Sequence, residues 1–403
     1  MKLLQNERNT IAALLIISCV MGLTGCAAND PSAKVGQSTG ADTADAALYE
    51  MEASSAAASG SADDIAPTPT PKPTPKLDTV KLSCAGDCTL GTDPKFNYSS
   101  SFNAMVKRVK NKAYFFKNMQ KYFASDDMTL VNFEGTLTTR TTPSIKKFTF
   151  KGPPSYINII KKGNIEALAF ANNHCRDYGE GSYYDSIDTF KKAKVKYSSY
   201  SKVCTYTVKK KKTGTKIKIG MISVNGLEGY EAARSLIASG VKKLKKKKCK
   251  LIIMSMHAGV ERQYYPNQTQ TSLAHYAVDC GCSLVLGHHP HVIQGAEKYK
   301  GVFIVYSLGN FCFGGNSNPT DKDTMIAVPI FKFKNGRLLK KQTRLKLIPC
   351  CVSSTTSYNN YQPTPKKGSE KKRVLAKLNK MCEALGTTLR SDSGKLTVEC
   401  RKK

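Results

Sequence analysis

Tryptophan is absent from the 403 residues, which weakens any lectin-like reading built on Trp stacking against sugars. No apolar run reaches the ~18 residues of an ordinary membrane span, so a polytopic membrane protein is excluded. Acidic residues are scarce: 30 Asp plus Glu stand against 62 Lys plus Arg, a formal net charge of +32, which excludes an acidic disordered chain. Hydrophobic residues at 40% and charged residues at 23% are the balance of a globular protein. A prior of ~150 residues per domain allows two or three units at most.

The first 26 residues read as an address rather than as structure. Lys2 and Arg8 flank a short charged region, residues 11–23 are apolar, and Leu23-Thr24-Gly25-Cys26 follows. The apolar stretch is too short to span a bilayer but suits a signal h-region. Small residues just before Cys26 resemble a bacterial lipobox, in which the Cys becomes a lipidated N-terminus; the plainer alternative is an ordinary signal peptide. Both place the mature chain outside the cytoplasm, and the first predicts a protein held to the cell membrane by lipid on Cys26. Residues 27–76 are rich in Ala, Ser, Thr, Gly, Asp and Pro and end in a Pro-Thr repeat. Such a segment buries too little apolar surface to order itself, and the repeat favours an extended spacer. The remaining divisions are a domain over 77–390 and a basic tail over 391–403.

The linker is acidic on balance, so the residues after it carry about +35. Lysines cluster at 209–212, at 242–250 and at 366–373. No aromatic platform or nucleic-acid motif accompanies them, so nucleic acid is not expected as a partner. The remaining readings are a solvated surface, or attraction to an anionic polymer or headgroup surface. The first cluster lies between two β-like runs, 206–208 and 216–222, with Thr213-Gly214 as turn residues, and is predicted to be a hairpin tip. With Cys19 in the signal and Cys26 lipidated, twelve cysteines remain. No zinc-type spacing with a partner pair is present, and no disulfide pairing follows from the sequence.

From residue 78 onward, β-like runs alternate with longer helix-compatible segments, which indicates an α/β fold. Five of those runs end in the same kind of chemistry: Gly86-Asp87 after the first, Asn132-Phe133-Glu134 after the second, Asn172-Asn173-His174 after the third, His257 after the fourth and His288-His289-Pro290-His291 after the fifth. A sixth run leads to Asn310. Loops at the carboxyl ends of α/β strands converge on sites. Five of the six histidines fall in these loops; only His275 lies elsewhere, on a predicted helix. Oxygen donors mixed with imidazoles suit Mn, Fe or Zn, as one or two ions. Any one of these residues alone is more often a cap, a turn or a bonded core residue; the ordered set is what points to a site.

Gly86-Asp87, Asn132-Phe133-Glu134-Gly135, Ala171-Asn172-Asn173-His174 through Gly179, His257-Ala258-Gly259-Val260-Glu261, and the block from Gly287 through Phe311 resemble, in order, the CapA-type capsule and poly-γ-glutamate synthesis proteins. That family is similar to the calcineurin-like metallophosphoesterases, which implies a four-layer α/β/β/α sandwich of the metallo-dependent phosphatase type. The resemblance implies metal ligation by Asp87, Glu134, Asn173, His257, His289 and His291. It implies proton transfer by His174, oriented by Asp177. Asn132, Glu261, His288 and Asn310 are candidates for substrate contact or support of the ligands.

Two departures from that pattern matter. The superfamily usually begins with Asp-x-His, whereas Asp87-Cys88-Thr89 lacks the His. This predicts a site that holds one ion tightly rather than two, and weakens an inference of two-metal phosphoester hydrolysis. Ala258 stands where the family commonly has a bulky aromatic, which predicts a wider pocket. The expected function is a surface-anchored protein of capsule or poly-γ-glutamate synthesis, export or processing. Its expected partners are an anionic polymer (poly-γ-glutamate or capsular polysaccharide), the membrane through the lipid anchor, and a membrane polymer-synthesis complex. A metal-dependent hydrolase, phosphoesterase-like or amide-cleaving, and a non-catalytic polymer-binding component of an export complex both remain open, as does a secreted metal-dependent phosphoesterase.

Overall fold

In the computed structural model, residues 74–392 and 395–400 are described. The signal segment, Cys26 and most of the linker expected from the sequence lie outside them. Thirteen strands carry the architecture: β1 (Leu77–Thr89), β2 (Met128–Phe133), β3 (Ala167–Phe170), β4 (Lys196–Ser199), β5 (Cys204–Lys209), β6 (Lys216–Asn225), β7 (Leu251–His257), β8 (Leu284–His288), β9 (Ala296–Tyr299), β10 (Val302–Val305), β11 (Asn310–Phe313), β12 (Asp323–Lys334) and β13 (Arg344–Cys351).

They form two mixed sheets. The first runs β13–β12–β1–β2–β3–β4, with β11 joining β1, and the second runs β9–β10–β8–β7–β6–β5. β1, β2, β3 and β4 are parallel neighbours, as are β6, β7, β8 and β10. Parallel neighbours need long crossovers, and helices supply them: α1 (Glu180–Lys192) between β3 and β4, α2 (Tyr230–Lys246) between β6 and β7, and α3 (Gln268–Cys280) between β7 and β8. α3 is delimited by a capping box of Asn267 with Gln270 and by Gly281 at its left-handed C-terminal turn, φ 116°. The mixed α/β class read from the sequence is therefore present.

Three apolar clusters follow from period-2 alternation along the strands. One draws on both sheets, combining Val80, Leu82, Met128 and Leu130 with Leu251, Ile253, Leu284 and Leu286. A second joins the other face of the first sheet (Val131, Phe133, Leu168, Phe170) to α1 and to the short helices 102–108 and 157–162. A third joins the other face of the second sheet (Ile252, Met254, Val285, Ile304) to α2 and α3. Helix α4 (Gly368–Glu383) adds Val374, Leu378 and Cys382 to the first cluster. A hairpin of Thr387–Asp392 with Lys395–Cys400 follows it.

The same alternation places the chemistry. In β2, Asn132 continues the phase of Met128 and Leu130; in β7, His257 continues that of Leu251 and Ile253; in β8, His288 continues that of Leu284 and Leu286. All three therefore lie on the faces that contribute to the shared cluster. Asp87 would fall out of phase with Leu82 and Cys84, but a bulge intervenes: Ala85 pairs with Val131 and Asp87 with Asn132, leaving Gly86 as the extra residue. The bulge is held by the Asp87 amide donating to the Gly309 carbonyl at 3.0 Å. A Cβ on residue 86 would lie 1.8 Å from that carbonyl oxygen.

The hairpin expected around Lys209 to Lys212 is present between β5 and β6, with Lys210 paired to Asp127 at 2.8 Å. Eleven described cysteines, from Cys84 to Cys382, are free. No described helix is long and apolar enough to cross a membrane. Because Gly86 admits no side chain, a Gly86→Ala variant is expected to lose about 3 kcal/mol of stability. Chemical denaturation, compared with an Ala substitution at exposed Lys107, checks this.

Candidate metal centre

Glu134 sits one residue past β2 and is fully buried, with neither carboxylate oxygen hydrogen-bonded. Three imidazole nitrogens face its Oε1: His174 Nε2 at 3.8 Å, His257 Nε2 at 3.9 Å and His291 Nε2 at 3.8 Å. These gaps exceed a hydrogen bond. They match the separations of about 3–4 Å between donor atoms that share one cation at ~2.1 Å each.

Asp87, equally buried, is well supported instead. Asn132 Nδ2 donates to its Oδ1 at 2.8 Å, His288 Nδ1 lies 3.2 Å from Oδ1, and His291 Nδ1 lies 3.6 Å from Oδ2. Asn132 Nδ2 is also 3.3 Å from His257 Nδ1, so one amide ties the first sheet's carboxylate to the second sheet's imidazole. Because that amide can only donate, His257 Nδ1 accepts and, without a cation, its Nε2 carries the proton, 2.8 Å from Asn173 Oδ1; a cation held by Nε2 would displace that proton. Asn310 Oδ1 meets His291 Nδ1 at 2.8 Å.

The proton-transfer candidates form a separate arm. His174 Nδ1 is 2.7 Å from Asp177 Oδ2, and Asp177 accepts from the Lys146 ammonium at 2.8 Å and the Phe150 amide at 2.6 Å. With Asp177 Oδ2 already accepting from the Phe150 amide, His174 Nδ1 is the donor of the 2.7 Å bond and Nε2 faces Glu134. The Phe150 ring lies 4.5 Å from the His174 ring.

These surroundings move the protonation equilibria apart. Burial, with the charges of Asp87, Asp177 and Glu261, raises the Glu134 carboxyl well above its usual range. Burial also pushes Asp87 upward, but His288, His291 and Asn132 outweigh it and hold that carboxyl below the usual range. Burial and the neighbouring imidazoles push His257 well below 6.5, and burial with His291 brings His289 down to about 4. Burial lowers His174 against the opposing pull of Asp177. Neutral imidazoles beside a carboxyl that ionises only at a cost are donors suited to a cation.

Apart from Cys26, which lies outside the described residues, the site residues named from the sequence are drawn into this region: Asp87, Glu134, Asn173, His174, Asp177, His257, His289 and His291, with Asn132, His288, Asn310 and Glu261 around them. Two donor groups lie close enough to share an ion, Asp87–Glu134–His257 and Glu261–His289–His291. His275 lies apart on α3, paired with Glu297. The sequence did not single out Lys146 or Phe150; one lysine among 62 Lys plus Arg, in an irregular loop, carries no local signal. Ala258 corrects one expectation. It is buried in the cluster with Leu273, not in the cleft wall, so its small size does not widen the pocket.

A cleft of about 390 Å³ opens from His174 and His291 past Phe96, Phe148 and Phe313 toward Glu261 and Tyr264. Residues 81–315 match the family described as bacterial capsule synthesis protein PGA_cap. The chain belongs to this family. It is similar to the PGA biosynthesis protein CapA of Bacillus subtilis (strain 168), 25% identical over 327 residues that cover 75% of this chain and 78% of the relative. It is also similar to the capsule biosynthesis protein CapA of Bacillus anthracis, 28% identical over 244 residues, 55% of this chain and 59% of that protein. The matched family region contains all the donors described above, from Asp87 to Asn310. A relation to capsule and poly-γ-glutamate biosynthesis thus accompanies this cluster.

A buried carboxylate without partners destabilises the cation-free protein, so neutralising it is expected to help. Glu134→Gln should raise cation-free stability at pH 7 by roughly 1–2 kcal/mol. The sign follows from the raised carboxyl: its penalty appears as pH rises above the ordinary 4.5 and is absent at lower pH. Calorimetry of the chelator-treated protein at pH 7 and pH 4 checks both halves.

Proposed function

We propose that the protein acts in capsule or poly-γ-glutamate synthesis, export or processing, as a metal-dependent hydrolase of an anionic polymer or its precursor, anchored outside the cytoplasm through Cys26. The observation that carries the catalytic part is Glu134: a fully buried carboxylate with two unpartnered oxygens, ringed by three imidazoles at 3.8–3.9 Å. The three apolar clusters support the finer fold reading, a four-layer α/β/β/α sandwich of the metallophosphatase type.

Asp87, Glu134, Asn173, His257, His289 and His291 hold the cation in this reading, and their mixed oxygen and nitrogen donors suit Mn, Fe or Zn. A divalent ion there supplies Lewis acidity and a nucleophile at neutral pH. The protein's own groups do the rest. Asp177, fixed by Lys146 and the Phe150 amide, holds the His174 ring with Nε2 turned to the centre. That nitrogen takes up a proton as water attacks and returns it to the leaving oxygen or nitrogen. Phe150 covers the ring and limits water around it.

One observation favours a non-catalytic reading, a polymer-binding component of a membrane export complex. Thr89 occupies the position where Asp-x-His would supply an imidazole, and its hydroxyl is buried without a partner. Metal analysis followed by turnover separates the two. The purified full chain is expected to carry about one or two equivalents of Mn, Fe or Zn by mass spectrometry, and His289→Ala to lose them. On poly-γ-glutamate and phosphoester substrates, His174→Ala should keep its metal and lose ~10²–10⁴-fold in rate. A wild-type chain that stays metal-free after ions are added back sinks the hydrolase reading in favour of polymer binding.

A further inference from the structure

Neither the metal centre nor the cleft uses the clustered lysines. Residues 189–227 hold eleven lysines and no acidic residue, and residues 232–260 hold seven lysines and no acidic residue. The end of α2 brings the second stretch against the first. Lys191, Lys194, Lys196, Lys202 and Lys247 line one concavity of about 500 Å³ that has no acidic residue in its wall. Lys202 stands over the Tyr197 ring at 3.9 Å, and Lys191 pairs with Asp188 at 3.0 Å. Lys194, Lys196 and Lys247 are exposed, and no carboxylate among the described residues pairs with them.

Both helices that end here are closed by a lysine in the left-handed region, Lys194 at φ 59° and Lys248 at φ 58°, a position that usually falls to glycine. The helix dipoles do not call for them, since Lys191 and Lys192 on α1 and Lys245 and Lys246 on α2 already occupy the last turns. Two acids of the same end are engaged: Asp127 with Lys210 at 2.8 Å, and Asp78 with the Thr213 hydroxyl at 2.6 Å. The second contact also fixes where the chain arrives. Asp78 is the second residue of β1, so the chain leads into the first sheet beside the hairpin tip of Lys209 to Lys212.

We infer that this lysine face, centred on the concavity of Lys194, Lys196 and Lys247, docks on anionic phospholipid headgroups at the membrane surface. The inference rests on the anchoring through Cys26 proposed above and adds an electrostatic contact to it. A headgroup phosphate offers negative charge and acceptor oxygens to unpaired ammonium groups, and several lysines near an anionic surface act together. An anionic polymer fits this face less well, because polymer held here would lie at the amino ends of the strands, away from the cleft.

The test is partition of the full-length Cys26→Ser chain, which carries no lipid, onto vesicles, read by sedimentation. The ratio of partition onto phosphatidylglycerol-containing vesicles over pure phosphatidylcholine vesicles cancels any contribution from the apolar residues 11–23. That ratio should be high at low salt and collapse at ~1 M salt, where charges are screened over ~3 Å. In Lys194→Glu/Lys196→Glu/Lys247→Glu it should fall about 100-fold. Lys367→Glu/Lys371→Glu/Lys372→Glu makes the same change in net charge at the start of α4, where Arg373 pairs with Asp323, and should keep the parent ratio. Circular dichroism verifies the fold of both variants. Equal partition onto the two vesicles would overturn the inference, as would an equal fall in the two triple variants. Capture of soluble poly-γ-glutamate by these lysines without any vesicle preference would also overturn it and give the face to a polymer. Mass spectrometry of Cys26 in wild type tests the anchor separately: no lipid there would take down the anchoring, while a high vesicle ratio would still uphold the docking face.

Discussion

A carboxylate that is buried and has no hydrogen-bond partner is among the least tolerable groups in a protein interior, and Glu134 is one. Much around it is organised by that cost. Asp87, at similar depth, has its oxygens engaged by Asn132 and His288, and His291 stands near them, so the two carboxyls are driven to opposite protonation behaviour. Burial pushes the His174 and His257 imidazoles below their ordinary value, which keeps those two from relieving Glu134 as cations. The apolar clusters on both sides of each sheet supply the stability that permits such a centre. A fold built only for stability would place an amide or an apolar residue at position 134.

The means of assembly is phase. Asn132, His257 and His288 are the last inward-facing residues of their strands, so the pattern that buries Leu130, Ile253 and Leu286 also brings these three to the site. Asp87 joins them only through the extra residue Gly86. The donors come from both sheets, and the Asn132 amide, in contact with Asp87 and with His257, is the joint between them. A change at that amide would therefore be felt by both.

Much of this was legible in the sequence because strand-end positions are marked by abrupt changes from β-branched runs to Asp, Asn, Glu and His. The α/β class, the Lys209 hairpin and the identities of the converging residues followed from those changes. The bulge was not legible, because a Gly before an Asp also describes an ordinary turn. The ties from Lys146 and the Phe150 amide to Asp177 span about thirty residues of irregular chain, and nothing local announces them. Ala258 was misplaced for a related reason. One position along from His257 on an extended segment is the opposite face, and it is there that Ala258 meets Leu273. The lysines were counted correctly but not located. Two of the clusters, 209–212 and 242–250, precede β6 and β7 and so lie at the amino ends of those strands, away from the cleft. At an ionic strength where charges are screened over ~8 Å, they act on what approaches that end and not on the cleft.

Leu77 begins β1 at that same amino end, pairing with Lys334. The start of β1 and the lysines of 209–212 and 242–250 therefore share one side, while the cleft opens on the other. Any cargo fused ahead of residue 77 will meet the lysine side first. For an immobilised sample this is a built-in orientation: a tether joined ahead of residue 77 holds the domain by that side and leaves the cleft facing away.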